Sequence, residues 1–189
     1  MASDPGSVKS LRRFYKNRLV VPDSGEMLAE LTGSSDRAVV ITLGAFLDSI
    51  LEYVLASKMR PQATEDEFEE AFASNGPLGS FSSKIKVAYL FQLIDEPLKN
   101  QLETIREMRN ACAHAKRPIS FANPELANVG KRILHPHGSF RRQGETPADI
   151  RSAFTAECMF LHGVLLWGRD KAVEETRAAY SAAEREPPF

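Results

Sequence analysis

The chain has 189 residues, enough for one domain with a core of its own. With 43% hydrophobic and 26% charged residues, its composition is that of a folded globular protein and excludes wholesale disorder. A net charge of −1 excludes a global pull toward nucleic acid or an anionic membrane, so any such attraction must come from local clusters.

Residues 1–22 carry Lys9, Arg12, Arg13, Lys16 and Arg18, with no acid between Asp4 and Asp23. They form a basic N-terminal arm, either a short helix or a flexible segment. Residues 23–185 read as a single helical-bundle domain and 186–189 as a tail. Asp23-Ser24-Gly25-Glu26 predicts a cap and a short helix through Leu31, stopped by Gly33. Ser34-Ser35-Asp36 opens the strongest helix, to about Met59. Its Val39, Leu43, Phe46, Leu47, Ile50, Val54 and Leu55 recur at steps of three and four. Thr64 and Glu67 form a capping-box pattern for a short helix through Phe72.

Asn75-Gly76-Pro77-Leu78-Gly79 is a tight connection. Ser80 caps a helix to about Leu93, with Phe81, Ile85, Ala88 and Gln92 on one line. Asp95 caps the next, tolerates Pro97 in its first turn, and runs to about His114. Asn123-Pro124 starts a short helix through Leu134, and His135 to Gly144 reads as a surface loop. Thr146-Pro147 caps a long final helix with Ile150, Phe154, Cys158, Leu161 and Leu165 on its apolar line. Past Trp167 that helix becomes strongly charged, and its end frays or projects. No segment alternates with period two, so the expected fold is all-α, a bundle with long antiparallel helices.

Cys112 and Cys158 fall among apolar residues at helical spacing. This reads as buried, reduced packing in a cytosolic protein, with a disulfide left open. The start of the chain has no apolar signal region, and no apolar run approaches the roughly 18 residues that span a bilayer. The expectation is a cytoplasmic protein with no membrane contact.

The helix ending in Arg109-Asn110-Ala111-Cys112-Ala113-His114 carries the most chemistry. Projected at about 100° per residue, Leu98, Leu102, Ile105, Met108 and Cys112 form its core face. Arg106, Asn110 and His114 follow at i, i+4 and i+8 on a polar flank. Arg109 leaves from the edge of the buried face, and a buried guanidinium needs a carboxylate. Asp48 and Glu52, one turn apart on the long helix, are the expected partners.

Arg109, Asn110 and His114 match the Arg-polar-x-x-x-His motif of the HEPN (higher eukaryotes and prokaryotes nucleotide-binding) superfamily, which the chain resembles. A closer resemblance, over residues 36–122, is to the mannitol operon repressor family. It rests on Asn75-Gly76-Pro77-Leu78-Gly79-Ser80-Phe81, Lys84-Ile85-Lys86-Val87-Ala88-Tyr89, Leu93-Ile94, Ile105-Arg106, Arg109-Asn110, His114 and Phe121. This resemblance implies an HEPN-like helical regulator acting through protein partners, with RNA as a further ligand. It implies no DNA-binding motif of its own, and no helix-turn-helix pair is legible. The superfamily implies a homodimer and, as the alternative activity, a metal-independent endoribonuclease in a toxin or defence role.

In that alternative His114 is the acid/base, Arg109 or Arg106 holds the phosphate, and Asn110 orients the histidine or bonds the scissile phosphate. Arg109 and His114 are about 140° apart on a continuous helix. Either the helix ends early, or a second copy across a two-fold axis completes the site. Lys116 and Arg117, with Phe140, Arg141 and Arg142 beyond Lys131 and Arg132, are the RNA- or partner-binding candidates. Opposing both readings, Arg109 to His114 serves only to tie the bundle together. His135 and His137 have no cysteine or paired carboxylate near them, so neither a metal nor a cofactor is expected. His162 reads as a core-edge histidine.

Overall fold

A computed structural model describes residues 23–59, 63–133 and 144–183, with side chains of the last helix to residue 168. Among them are seven helices and no strand, which makes the fold all-α. They are α1 (Ser24–Glu30), α2 (Asp36–Ala56), α3 (Glu65–Phe72), α4 (Phe81–Leu90), α5 (Glu96–His114), α6 (Pro124–Ile133) and α7 (Pro147–Ala183). The basic arm and the 186–189 tail lie outside the described residues.

Local chemistry places most helix starts. Asp23, Ser35, Thr64, Ser80 and Asp95 each stand as N-cap, with a side chain accepting from a backbone N–H three residues on. Thr64 with Glu67 closes a reciprocal capping box. Thr146 and Asp149 exchange the same pair of bonds ahead of α7. Helix ends are less regular. α2 stops at Ala56 rather than near Met59. α4 stops at Leu90 rather than Leu93, because Gln92 turns the chain at φ 58°. Gln92 is therefore exposed and not on the line of Phe81, Ile85 and Ala88.

α2 is the axle of the fold. Val39, Val40, Leu43, Leu47, Ile50 and Leu51 are fully or almost fully buried, and α4, α5 and α7 pack around it. By length and composition α2 is apolar enough to cross a membrane, against the expectation that no such run exists. Most of it lies inside the bundle, where its apolar surface meets other helices.

α5 runs antiparallel to α2, since Gly44 meets Arg109 while Arg37 reaches Ala113. α7 runs in the direction of α2, with Arg151 at Asp36 and His162 at Phe46. α6 closes the other side of α7, and Phe121, just before it, stacks tilted on Phe154 with centroids 5.7 Å apart.

The Gly-Pro-Leu-Gly turn has a plain structural cause. Leu78 N–H donates to Ala71 O at 2.8 Å and Gly76 N–H to Ala73 O at 2.7 Å, so the turn folds back on the end of α3. A Cβ on Gly76 would strike the carbonyl of Glu70, and one on Gly79 that of Ala73. Leu78 is thereby delivered to the core.

Candidate functional site

α5 continues as α-helix through His114, so the helix does not end early. Arg109 and His114 therefore stay about 140° apart within one chain. Cys112, between them on the inner face, is fully buried. Asn110 is half-buried, and His114 is exposed on the last helical residue, where its imidazole sits at the negative end of the helix dipole. The exposed Lys116 and Arg117 follow immediately.

Asp48 and Glu52 do not serve Arg109. Both hold the ammonium of Lys84 on α4, at 2.8 Å and 2.5 Å, and Lys84 is itself only 6% exposed at its side chain. Arg109 escapes burial by another route. Its stem lies against Gly44 of α2, where an added Cβ would come within 2.8 Å of Arg109 Cβ and 2.9 Å of Cγ. Because Gly44 has no side chain, α5 approaches α2 closely and the guanidinium slides out past it. There Arg109 Nη1 donates to Asn110 Oδ1 at 3.2 Å. Gly44 turns a residue on the core sector into a half-exposed one, which removes the need for a buried carboxylate.

Arg106 is committed to acids of its own helix. Nε donates to Glu103 at 2.7 Å and Nη2 to Glu107 at 2.5 Å. The hydrogen bond to Glu103 raises its pKa above the usual guanidinium value against the opposing effect of burial. Its charge is thus neutralised locally and is a weak phosphate clamp.

Arg37, unmarked by the sequence pattern, closes the end of the site. From the first turn of α2 its Nη2 donates to Ala113 O at 3.1 Å, satisfying one of the last carbonyls of α5. Next to it, Asp36 Oδ2 accepts from Phe121 N–H at 2.9 Å and Oδ1 from Arg151 at 3.1 Å. Arg151 also donates to Ser34 O and Leu31 O. This polar knot fixes the chain that leaves α5 against the start of α2 and against α7.

Elsewhere, Lys131 pairs with Glu145 at 3.2 Å on the surface and Arg132 is exposed. Phe140, Arg141, Arg142, His135 and His137 lie outside the described residues. Both cysteines are free and buried, and desolvation pushes both thiols up, most strongly Cys158. His162 packs on Phe46 with centroids 5.0 Å apart, and its buried Nε2 has no hydrogen-bond partner. Burial lowers its pKa. Among the described residues no three His, Cys, Asp or Glu side chains converge as metal ligands would.

Of Lys84, Gly44 and Arg37, the first two leave a trace in the sequence. Lys84 stands on the core line of α4 between Phe81, Ile85 and Ala88, and a lysine there demands carboxylates. Gly44 interrupts the best apolar helix at a cost of about 1 kcal/mol, which needs a packing reason. Arg37 beside Asp36 shows nothing, because its partner is a backbone carbonyl 76 residues away.

No family model matches the chain, and neither does any curated protein. Among solved structures, the fold is similar to the MtlR chain of the X-ray structure of the MtlR-HPr complex from Escherichia coli. The match has a TM-score of 0.59 at 18% identity and covers 75% of this chain and 96% of that one. The chain has the fold of the mannitol operon repressor.

Proposed function

We propose that the chain is a cytoplasmic regulator of the mannitol-operon-repressor type, acting by binding a protein partner. The observation that carries this reading is the fold match over nearly the whole of a chain whose structure was solved as a complex with HPr. HPr, or a protein like it, is accordingly the proposed partner. The state of the α5 motif supports the choice. In one chain Arg106 is spent on Glu103 and Glu107, Asp48 and Glu52 are spent on Lys84, and Arg109 and His114 point to different sides. Residues 23–185 would act as one module, with the basic arm as an accessory. Titration of the purified chain with HPr by calorimetry tests the proposal. Saturable one-to-one binding is expected, and no heat or co-migration at about 100 µM of each protein, a Kd weaker than most regulatory contacts, removes it.

A second reading rests on His114. It is exposed one turn beyond Asn110 and is followed by Lys116 and Arg117, the composition of a phosphate-facing acid/base site. Within the HEPN superfamily this would be a metal-independent endoribonuclease, completed by Arg109 of a second copy across a two-fold axis. Total RNA incubated in EDTA separates the readings. Cleavage by wild type that is lost in folded His114→Ala and Arg109→Ala proteins supports the enzyme. Intact RNA at concentrations where RNA is bound excludes it.

A further inference from the structure

The Asn75-Gly76-Pro77-Leu78-Gly79 turn takes no part in the proposed function, yet its first two residues have a chemistry of their own. Packing fixes the second of them. A Cβ at position 76 would strike the carbonyls of Glu70 and Ala71 at the end of α3, so only glycine fits. Asn75 ahead of it is exposed, and its carboxamide bonds to nothing among the described residues. The amide is free to turn, and the residue after it has no side chain to hinder approach. In that arrangement the next backbone nitrogen can reach Asn75 Cγ.

The other asparagines of the described residues are denied this geometry. Asn100, Asn110 and Asn128 lie inside α5 and α6, where the following N–H is held in the helix. Asn123 precedes Pro124, whose ring nitrogen has no proton to lose, and its Oδ1 accepts from Ser120 N–H at 2.8 Å. Gly76 N–H is itself tied, donating to Ala73 O at 2.7 Å, so the attack proceeds from an opened turn. Opening is local, because Ser74, Asn75 and Pro77 are all exposed and only the bonds of one turn need break. An asparagine in α5 or α6 needs a stretch of packed helix to unwind first.

We propose that Asn75 is a site of spontaneous deamidation, and that its isoaspartyl product unlatches the turn from α3. Gly76 N attacks Asn75 Cγ. The N–Cγ bond forms, the Cγ–Nδ2 bond breaks, and the proton of Gly76 N leaves with the amide nitrogen as ammonia. Water then opens the succinimide. Breaking the new N–Cγ bond leaves aspartate on a normal backbone. Breaking the original peptide bond leaves isoaspartate, with the chain running through Cβ and Cγ and the α-carboxylate free. Either product sets a carboxylate beside the carbonyl end of α3, the negative end of its dipole, which already carries Glu69 and Glu70. Isoaspartate also adds one atom to the main chain. The bonds from Gly76 to Ala73 and from Leu78 to Ala71 then lose register, and Leu78, only 8% exposed, is drawn from the core. Ser80, the cap of α4, follows directly, so α4 loses its anchor at the end from which Lys84 reaches Asp48 and Glu52. An aged molecule thus differs from a new one in charge and in the seating of α4, whichever partner it serves.

The test incubates the full chain in neutral buffer for weeks and maps its peptides by mass spectrometry, with electron-based fragmentation to tell isoaspartate from aspartate. Conversion at Asn75 is expected to outpace that at Asn100, Asn110 and Asn128 by more than about tenfold, since those wait on helix opening. Isoaspartate is expected as the larger product. The isoaspartyl fraction, separated by ion exchange, is expected to melt about 5–15 °C below fresh protein, the shift that follows unseating one core leucine. Asn75→Gln keeps an exposed amide but sets it one carbon further out, where the ring closes far more slowly. It is expected to stay unmodified at that position and to melt with fresh wild type. Conversion at Asn75 no faster than at the helical asparagines overturns the site. An isoaspartyl fraction that melts with fresh protein overturns the unlatching, as does a low-melting acidic fraction that still forms in Asn75→Gln.

Discussion

Replacing Lys84 by methionine keeps the unbranched stem and removes the ammonium that Asp48 and Glu52 share. The two charged hydrogen bonds are worth about 1.5–3 kcal/mol each when fully sheltered. The carboxylates are 22% and 17% exposed, so water recovers part of that loss when the cation goes. Two acids one turn apart then repel by about 0.5 kcal/mol. The net expectation is a loss of about 2–4 kcal/mol, or roughly 5–15 °C in melting temperature for a chain of this size. Urea unfolding followed by circular dichroism measures it. Neutralising all three groups, as Lys84→Met with Asp48→Asn and Glu52→Gln, should recover more than half of the loss, because no charge is left orphaned. A double-mutant cycle decides which cation holds Asp48. Lys84 and Asp48 should couple by about 1–2 kcal/mol, while Arg109 and Asp48 should be additive within about 0.5 kcal/mol. A Lys84→Met protein as stable as wild type, or a stronger Arg109–Asp48 coupling, refutes the reasoning.

Gly44→Ala should destabilise although alanine is the better helix former. Forcing α5 off α2 costs about 2 kcal/mol and helix propensity returns about 1, leaving a net loss near 1 kcal/mol by chemical denaturation. A stabilised variant would mean that the helices do not meet there. His162 should make stability fall on acidification. Its folded pKa lies below the unfolded value of about 6.5, so below that pH the unfolded chain binds a proton that the native state refuses. The native state then loses up to about 1.4 kcal/mol per pH unit until the folded pKa is reached. His162→Leu should remove that part of the slope just below about pH 6.5, and equal slopes for the two proteins contradict it.

What the residues disclosed in advance follows the range of each interaction. Caps act over three residues, so Asp23, Ser35, Thr64, Ser80 and Asp95 mark helix starts from the string of letters alone. The core faces of α2 and α5 follow from their spacing, and the buried positions agree with it. The end of α4 was not legible, because the left-handed residue there is glutamine instead of glycine. Ion pairing was the larger miss. Asp48 and Glu52 were recognisable as carboxylates needing a cation, but helical projection cannot choose between Arg109 and Lys84 without the crossing of α2 and α5. That crossing is set by Gly44. The placement of Arg37 on Ala113 and of Arg151 on Asp36 depends on tertiary approach over more than 70 residues and leaves no local pattern.

The burial of α2 has a consequence for synthesis. Among the described residues, the helices packed most closely on it (α4, α5 and α7) all lie later in the chain, and α7 begins about 90 residues after α2 ends. At about 5–20 residues per second, the most apolar helix of the protein waits some 5–20 s for its last cover. During that interval a nascent chain displays a segment long and apolar enough to be mistaken for a membrane anchor. A product truncated before α7 keeps that face open for good. Until its C-terminal helix docks, the face of α2 that α7 covers in the finished bundle is open to whatever apolar surface it meets.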